Sequence, residues 1–320
     1  MADREIKKKV RSHTYRGRFT QIPIYIGKFF RMFVYLSDWK VIPMAACIAA
    51  LVAFVVRSTF FVTMEGTIKG TLALTSVALW NGCFNSIQVV CRERAIIKRE
   101  HRSGMHITSY IFSHMFYQAF LCVLQTVTTI AICMYLKVKF PNTPVVTDYF
   151  LLDLGITLFL ITFAADMLSL FISCVVKSTT AAMTVMPLVL LVQLVFSGIL
   201  FSLPKSMEKA THLMISNHGA CAICALADYN ELPSSSGWTM IKKMADQPDA
   251  DPEIKAMVVT MEAEGKDEYV KRETAKSNFK EDYVKSYDNL TRRWAVIGIF
   301  AFLFAGASVI ALEFIDKDKR

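Results

Sequence analysis

The chain has 320 residues, of which 54% are hydrophobic, 12% aromatic and 20% charged, and its mean hydropathy is +0.39. This composition excludes an ordinary soluble domain and predicts an all-α integral membrane protein. The formal net charge is +9, but the basic residues flank apolar segments and form no nucleic-acid-binding module. We therefore expect membrane lipids and proteins as partners, and no nucleic acid.

The first forty residues predict two cytoplasmic segments. Residues 1–20 are basic and have neither an apolar core nor a cleavage site, so they do not form a signal peptide. Over residues 21–40, polar side chains such as Lys28, Arg31 and Tyr35 recur at helical spacing, and apolar residues fill the other side. This pattern predicts an amphipathic helix that lies in the inner membrane interface.

Six apolar segments are long enough to cross a hydrocarbon core of about 30 Å, which takes about 20 residues. They are residues 41–62, 71–90, 107–135, 149–176, 181–201 and 294–314. Arg57 interrupts the first segment and would have to extend to the membrane surface. Lys and Arg are concentrated in the short segments on one side, above all in CRERAIIKREHRSGMH at 91–106, which predicts a plasma-membrane protein with both termini in the cytoplasm.

The resulting organisation is five helices over 41–201, an outer segment over 202–291, and a last helix with a cytoplasmic tail over 292–320. The first part of the outer segment is too polar to span and too apolar for a free loop, which predicts re-entrant or interfacial helices. The part from about 238 to 290 is charged and helix-favouring, and it would form a small cap or a loosely ordered loop.

Two features of the outer segment carry alternatives. Cys221 and Cys224, with His218 nearby, would form a disulfide or a metal site, but their apolar run favours buried thiols and no metal. The sequon at Asn289 lies close to the last span, where a glycan would be crowded against the membrane.

The chain contains no GxxxxGK[ST], HExxH or GxSxG motif and no paired catalytic carboxylates. We therefore predict no enzymatic activity, no catalytic residue and no bound cofactor in this chain.

Polar residues inside the predicted spans are candidate functional residues, because hydrocarbon offers them no partner. Asn81, Asn85 and Gln88 share one helix face with Phe84, and this stripe indicates either a substrate path or interhelical hydrogen bonds. Asp166, in the middle of the fourth span, is either an ion site or a structural hydrogen-bonding group, and the structural role is favoured. The fifth span adds adaptable and polar positions at Met186, Gln193 and Phe196.

The second and third spans, read as FNSIQVVCRERAIIKREHRSGMHITSYIFSHMFYQAFLCVLQ, resemble the membrane half of ATP-binding cassette (ABC) exporters of the G subfamily, and bacterial relatives are especially similar. The FSGILF turn at 196–201 and the broken apolar outer helices extend the resemblance over most of the chain. It implies the type-2 ABC permease fold, with an interfacial elbow helix and a cytoplasmic coupling helix near 91–106.

The resemblance also implies partners and site residues. The ATPase, with its ATP and Mg, would be a separate subunit, and a second permease subunit would complete a homodimer or heterodimer. Substrates would be lipids, drugs or peptides, held between two membrane halves. The implied coupling residues are Glu93, Arg94, Arg99, Glu100, His101 and Gly104, and the implied cavity residues are Asn81, Phe84, Asn85, Gln88, Met186, Gln193 and Phe196.

Two other functions fit parts of the sequence. An ion-coupled secondary transporter would use Asp166, although the six spans show no inverted repeat. A non-transporting scaffold would instead recruit a partner through the outer cap.

Overall fold

The computed structural model describes residues 17–35, 38–200, 209–234, 239, 242–247, 251–263 and 279–314. These residues form helices and connecting turns, and no strand occurs among them. The longer helices are α1 Arg18–Tyr35, α2 Val41–Val56, α3 Met64–Ser86, α4 Val89–Arg102, α5 Ile107–Tyr135, α6 Phe150–Val175, α7 Thr179–Val195, α8 Ile215–Leu226, α9 Pro252–Ala263 and α10 Tyr287–Glu313.

The chain runs back and forth between two ends of the bundle, named here the α4 end and the α8 end. At the α4 end, Arg94 Nη1 of α4 donates to the carbonyl oxygen of Cys174, in the last turn of α6, over 3.0 Å. At the α8 end, Cys224 Sγ of α8 lies 3.6 Å from Thr71 Oγ1 in the first half of α3. Helices α2, α3, α5, α6, α7 and α10 connect the two ends.

Three of these helices, α5, α6 and α10, are both long and apolar enough to cross a membrane. Helices α2 and α7 are apolar but have only 16 and 17 residues. Helix α3 has 23 residues, but it carries glycines, threonines and asparagines that lower its hydropathy. The described helices therefore support a multi-pass membrane protein, and the number of six crossings stays a prediction.

Helix α3 differs most from its predicted bounds of 71–90. It begins earlier, at Met64, because the Thr63 side chain accepts a hydrogen bond from the Gly66 N–H and caps the helix. It ends at Ser86, and α4 begins three residues later, so the predicted end of the span already belongs to α4. The polar stripe of α3 therefore lies in its last turns, directly beside α4.

The centre of the bundle is a close crossing of α3 and α6. A Cβ atom added at Gly82 would lie 2.1 Å from the carbonyl oxygen of Thr162, so the two backbones are nearly in contact. Helix α10 packs on the other side of α6, where Trp294 Nε1 donates to Thr157 Oγ1 over 2.9 Å. These three helices form the framework that positions the site.

The predicted outer helices and cap are partly described. Helix α8 is buried along almost its whole length against α3, α6 and α10, and its re-entrant position in the membrane stays a prediction. In the cap region, Lys242 forms an ion pair with Glu262, and Val258 of α9 packs against Ala245. Residues 279–290 of the predicted cap are described as well, whereas residues 238, 240–241, 248–250 and 264–278 lie outside the described residues.

Candidate substrate cavity and coupling surface

Two carboxylates of α4 contact α1, the helix predicted to lie in the membrane interface. Lys28 of α1 places its Nζ 3.5 Å from Glu93 Oε2 and 3.6 Å from Glu100 Oε1. The Tyr25 hydroxyl donates to the other Glu100 oxygen over 3.3 Å. Glu93 is only 7% exposed, so the two acids of the charged segment face another helix of the same chain.

Tyr25 is well suited to be the donor in this contact. Burial, together with the nearby Glu100 carboxylate, raises the pKa of Tyr25 to about 12. The phenol therefore stays protonated at physiological pH, and its hydrogen remains available to Glu100.

A second contact joins α1 to the turn between α4 and α5. Gln21 Nε2 donates to the carbonyl oxygen of Gly104 over 3.0 Å, and Gln21 Oε1 accepts from the backbone N–H of His106 over 2.9 Å. Gly104, two residues after the end of α4 at Arg102, has φ +100°, which favours glycine. His101 Nδ1 lies 3.1 Å from the Met105 carbonyl oxygen and belongs to the same turn.

Arg94 connects α4 to α6. Its guanidinium donates to the carbonyl oxygens of Cys174 and Val176, at 3.0 and 3.2 Å. These carbonyls end α6 and have no partner within the helix, so the cation satisfies them and complements the helix dipole. Helix α4 is thus attached to α1 on one side and to α6 on the other.

The outer face of α4 is formed by residues that point away from these attachments. Its exposed members are Ala95, Ile96, Arg99, Arg102 and Ser103. A shallow groove of about 410 Å³ runs along it, bordered also by Lys98. Of the predicted coupling residues, Arg99 is the one whose side chain is clearly exposed on this face.

A cavity of about 210 Å³ lies at the α4 end, between the last turns of α3 and the starts of α2, α4 and α7. Three of the predicted substrate residues line it together: Phe84, Asn85 and Gln88. Its other lining residues are Val41, Ile87, Val89, Arg92, Tyr117, Gln118, Leu121 and Met183.

The other predicted cavity residues lie elsewhere. Asn81 borders a much smaller space between α3, α5 and α6, of about 10 Å³. Gln193 accepts from the backbone N–H of Ser216 over 3.2 Å and holds the start of α8. Met186 is buried in the main core, and Phe196 follows α7 near the α8 end.

Asp166 lies behind the cavity in a closed polar cluster. Its carboxylate accepts hydrogen bonds from Ser86 and from Asn85, the latter at 3.5 Å, and Cys122 Sγ lies 3.6 Å away. Asn85 and Gln125 also exchange two amide hydrogen bonds, of 3.1 and 2.9 Å. Asp166 is fully buried and does not line the cavity, so its hydrogen bonds fit the structural role favoured from sequence.

Comparison with known families decides the class of protein. A family model described as "ABC-2 type transporter" matches residues 20–215, which is more than half of the chain. The chain belongs to the ABC-2 type transporter family. The match covers α1, α4 and the cavity, and it confirms the predicted ABC-2 permease and its all-helical membrane fold. No individual curated protein matches the chain.

A network at the α8 end ties α8 to α10 of the permease. The Arg293 guanidinium donates to Asp282 Oδ1 over 2.6 Å and lies 3.3 Å from His218 Nδ1. His218 Nε2 lies 2.9 Å from the His212 carbonyl oxygen, so a neutral ring protonated at Nε2 satisfies both contacts. Burial, with Arg293 nearby, lowers the pKa of His218 and favours this neutral form.

The candidate modification sites of the permease have other roles in the fold. Asn289 Nδ2 donates to the carbonyl oxygens of Asp282 and Val284, at 3.1 and 2.9 Å, so the sequon amide holds a turn. Cys221 and Cys224 are free thiols in α8, and burial raises the pKa of each to about 12. Among the residues described by the structure, no cluster of potential metal ligands occurs.

Sequence reasoning missed part of the cavity of the permease. Arg92, Tyr117, Gln118 and Met183 line it but belong to α4, α5 and α7. Gln118 and Tyr117 lie in a span that is otherwise apolar and gave no reason to select them. Arg92 lies in the segment 91–106, whose basic residues were already explained by its predicted cytoplasmic position. Only the packing of the helices brings these residues to the polar stripe of α3.

Proposed function

We propose that this permease exports a hydrophobic or amphipathic substrate across a plasma membrane, using ATP hydrolysed by separate ABC ATPase subunits. It would belong to the G subfamily, act in the bacterial cytoplasmic membrane, and pair with a second permease subunit. Lipids, drugs and peptides are the substrate classes. ATP and Mg would bind to the ATPase subunits, and this chain would supply the path and the contact that transmits the conformational change.

The observation that carries the proposal is the position of α4. It is an amphipathic helix at one end of the bundle, and it is fixed to α1 through Lys28 and to α6 through Arg94. A push on α4 would therefore be transmitted to both neighbouring helices. Since α3 ends three residues before α4 begins, the same push would reach the cavity wall formed by Phe84, Asn85 and Gln88.

Charge supports a cytoplasmic position for α4. The basic residues of α4, with Lys177 between α6 and α7, lie at the α4 end. The described segments at the α8 end carry both signs, as in the Lys285–Asp228 and Arg293–Asp282 pairs. An excess of Lys and Arg in short loops favours the cytoplasmic side, which would place both termini there as well.

The outer face of α4 is the surface that we assign to the ATPase contact. Glu93, Glu100 and Arg94 already bind groups within this chain, whereas Arg99 is exposed on this face beside the exposed Ile96. A complementary surface on the ATPase would therefore be acidic with a small apolar recess. Such contacts form quickly and reversibly and weaken with salt.

Purification from the native membrane in mild detergent tests the proposal. We expect an ATPase subunit to copurify, and substrate to stimulate its ATP hydrolysis in liposomes. Arg99→Glu should leave insertion and folding unchanged and reduce transport per ATP hydrolysed by about tenfold, because it reverses the charge of the contact.

Lys177→Glu is the matched control, because it reverses a charge at the same end outside the outer face of α4. It should transport normally. A preparation without any ATPase partner, or unchanged transport by Arg99→Glu, would overturn the proposed coupling.

A further inference from the structure

The cavity at the α4 end has one strongly basic side and no acidic lining residue among the residues described. Arg92 lines it and is exposed, and its guanidinium forms no ion pair with another described residue. The two glutamates of the same helix are directed to Lys28 instead. As far as the described residues go, the cavity therefore presents a positive charge without an internal counter-ion.

Polar groups beside Arg92 are also left available. Gln88 precedes α4, and its side chain forms no capping hydrogen bond. Gln118 is 1% exposed and donates from Nε2 to Ser86 Oγ over 2.9 Å, but its Oε1 has no hydrogen-bond partner among the described residues. A buried acceptor without a partner is costly, so a ligand that brings a hydroxyl or amine hydrogen would relieve this cost.

Apart from Asn85 and the hydroxyl of Tyr117, the rest of the lining is apolar. Phe84 lies against Trp80 with ring centroids 5.3 Å apart, and Leu121 and Met183 complete this side. A space of about 210 Å³ is smaller than the 300–1,000 Å³ typical of sites for drug-sized ligands. The cavity thus fits a head group and the first part of a chain, with the remainder of the chain outside it.

We propose that this cavity binds an anionic amphiphile: a phosphate or carboxylate head group that carries a hydrogen-bond donor, joined to a hydrocarbon chain. The anion pairs with Arg92 and Gln88, and the chain lies along Phe84, Leu121 and Met183. Gln118 Oε1 is closed to solvent in this structure, so its amide turns toward the ligand to accept the donor. A cationic head group would be repelled by Arg92, and a purely apolar molecule would leave the guanidinium and the Gln118 oxygen without partners. The proposal deepens the proposed function, on which it rests, by naming the substrate class of the same site.

The test measures equilibrium binding to the full chain in nanodiscs of zwitterionic lipid, with binding to empty nanodiscs subtracted. The probes share one 12-carbon chain and differ in charge: dodecyl phosphate, dodecylphosphocholine and dodecyltrimethylammonium. We expect dodecyl phosphate to bind on the order of tenfold more tightly than dodecylphosphocholine, and the cation to bind most weakly. Inorganic phosphate alone should not displace dodecyl phosphate at comparable concentration.

Variants locate the binding. Arg92→Gln should remove the preference for dodecyl phosphate, and Arg92→Lys should keep most of it, because the charge remains. Lys177→Gln, which removes one positive charge from the same end outside the cavity, should bind like the unmodified chain. Since Arg92 is exposed, we expect all three variants to fold, and a single symmetric peak in gel filtration checks this.

Three results would overturn the inference: equal binding of the anionic and zwitterionic probes, equal losses in Arg92→Gln and Lys177→Gln, or displacement by inorganic phosphate alone. Because no ATPase takes part in this assay, its outcome is independent of the proposed coupling. A permease that stimulates ATP hydrolysis but shows no head-group preference would retain the proposed function and lose only this inference.

Discussion

The Nζ atom of Lys28 lies 3.5 Å from Oε2 of Glu93, and this contact joins the interfacial helix to the helix that we assign to coupling. The Lys28 and Glu93 side chains are 29% and 9% exposed, so removing one partner leaves the other charge poorly solvated. We expect Lys28→Met to lower the free energy of unfolding by about 1–3 kcal/mol, measured by thermal unfolding in detergent.

The double variant Lys28→Met/Glu93→Gln is the control for this prediction. It removes both charges, so it should be less destabilised than Lys28→Met alone. If the double variant lost as much stability as the sum of the two single variants, the two side chains would not interact.

Gly82 permits the close crossing of α3 and α6. Because a Cβ atom there would lie 2.1 Å from the carbonyl oxygen of Thr162, Gly82→Ala must separate the two helices. We expect a loss of about 3 kcal/mol or more, seen as a lower midpoint of thermal unfolding. Gly298→Ala is a matched helical control in α10, where no atom lies within 4 Å of the added Cβ, and it should be neutral or slightly stabilising.

Asp166→Asn distinguishes an ATP-driven permease from an ion-coupled transporter. The asparagine keeps the size of the side chain, but its amide NH₂ would face one of the three donors, Ser86, Asn85 and Cys122, whose hydrogen bonds the Asp166 carboxylate now accepts. We expect a loss of about 1–3 kcal/mol of stability and retained ATP-dependent transport. Transport that depends on a proton gradient, and that disappears in a folded Asp166→Asn variant, would favour the ion-coupled mechanism.

His218 makes the α8 end sensitive to acid. Its pKa in the folded chain is lowered from 6.5, so between these two values the unfolded chain binds more protons than the folded one. The contribution of neutral His218 to the free energy of unfolding is therefore complete above about pH 6.5, and it decreases as the pH falls below that value. A proton added at Nδ1 would also face the Arg293 guanidinium, 3.3 Å away.

Unfolding midpoints measured between pH 7.5 and pH 5 check this prediction. The decrease should be smaller in His218→Gln, whose side chain does not titrate. His106→Gln, at the opposite end, should keep the decrease of the unmodified chain. If the unfolding midpoints of the unmodified chain and of His218→Gln decreased equally with falling pH, His218 would make no contribution.

Much of the helical framework could be predicted from the sequence. The third predicted span, 107–135, coincides with α5, because a glycine turn and a polar segment bound a long apolar run. Helix α3 was predicted less well, since hydropathy registers apolar content, whereas the start of this helix depends on the Thr63 cap. The break after Ser86 lies inside the segment predicted as one span, and no Gly or Pro follows Ser86 to mark it.

The candidate site was predicted in part. Helical spacing placed Phe84, Asn85 and Gln88 on one face, and all three line the cavity. The same spacing included Asn81, which packing assigns to a separate space. Whether Glu93 and Glu100 face a partner or Lys28 depends on how α1 folds back onto α4, a contact between segments distant in sequence that periodicity cannot specify.

The backbone contact at Gly82 also constrains how the permease can move. Two helices that touch through glycine and a carbonyl have no side-chain layer between them that could shear, so α3 and α6 must travel as one rigid body. Opening and closing of the cavity then falls to its other walls, α5 and the starts of α2, α4 and α7. A crosslink between α3 and α6 should therefore leave the transport cycle intact, whereas one between Gln88 and Met183 should arrest it.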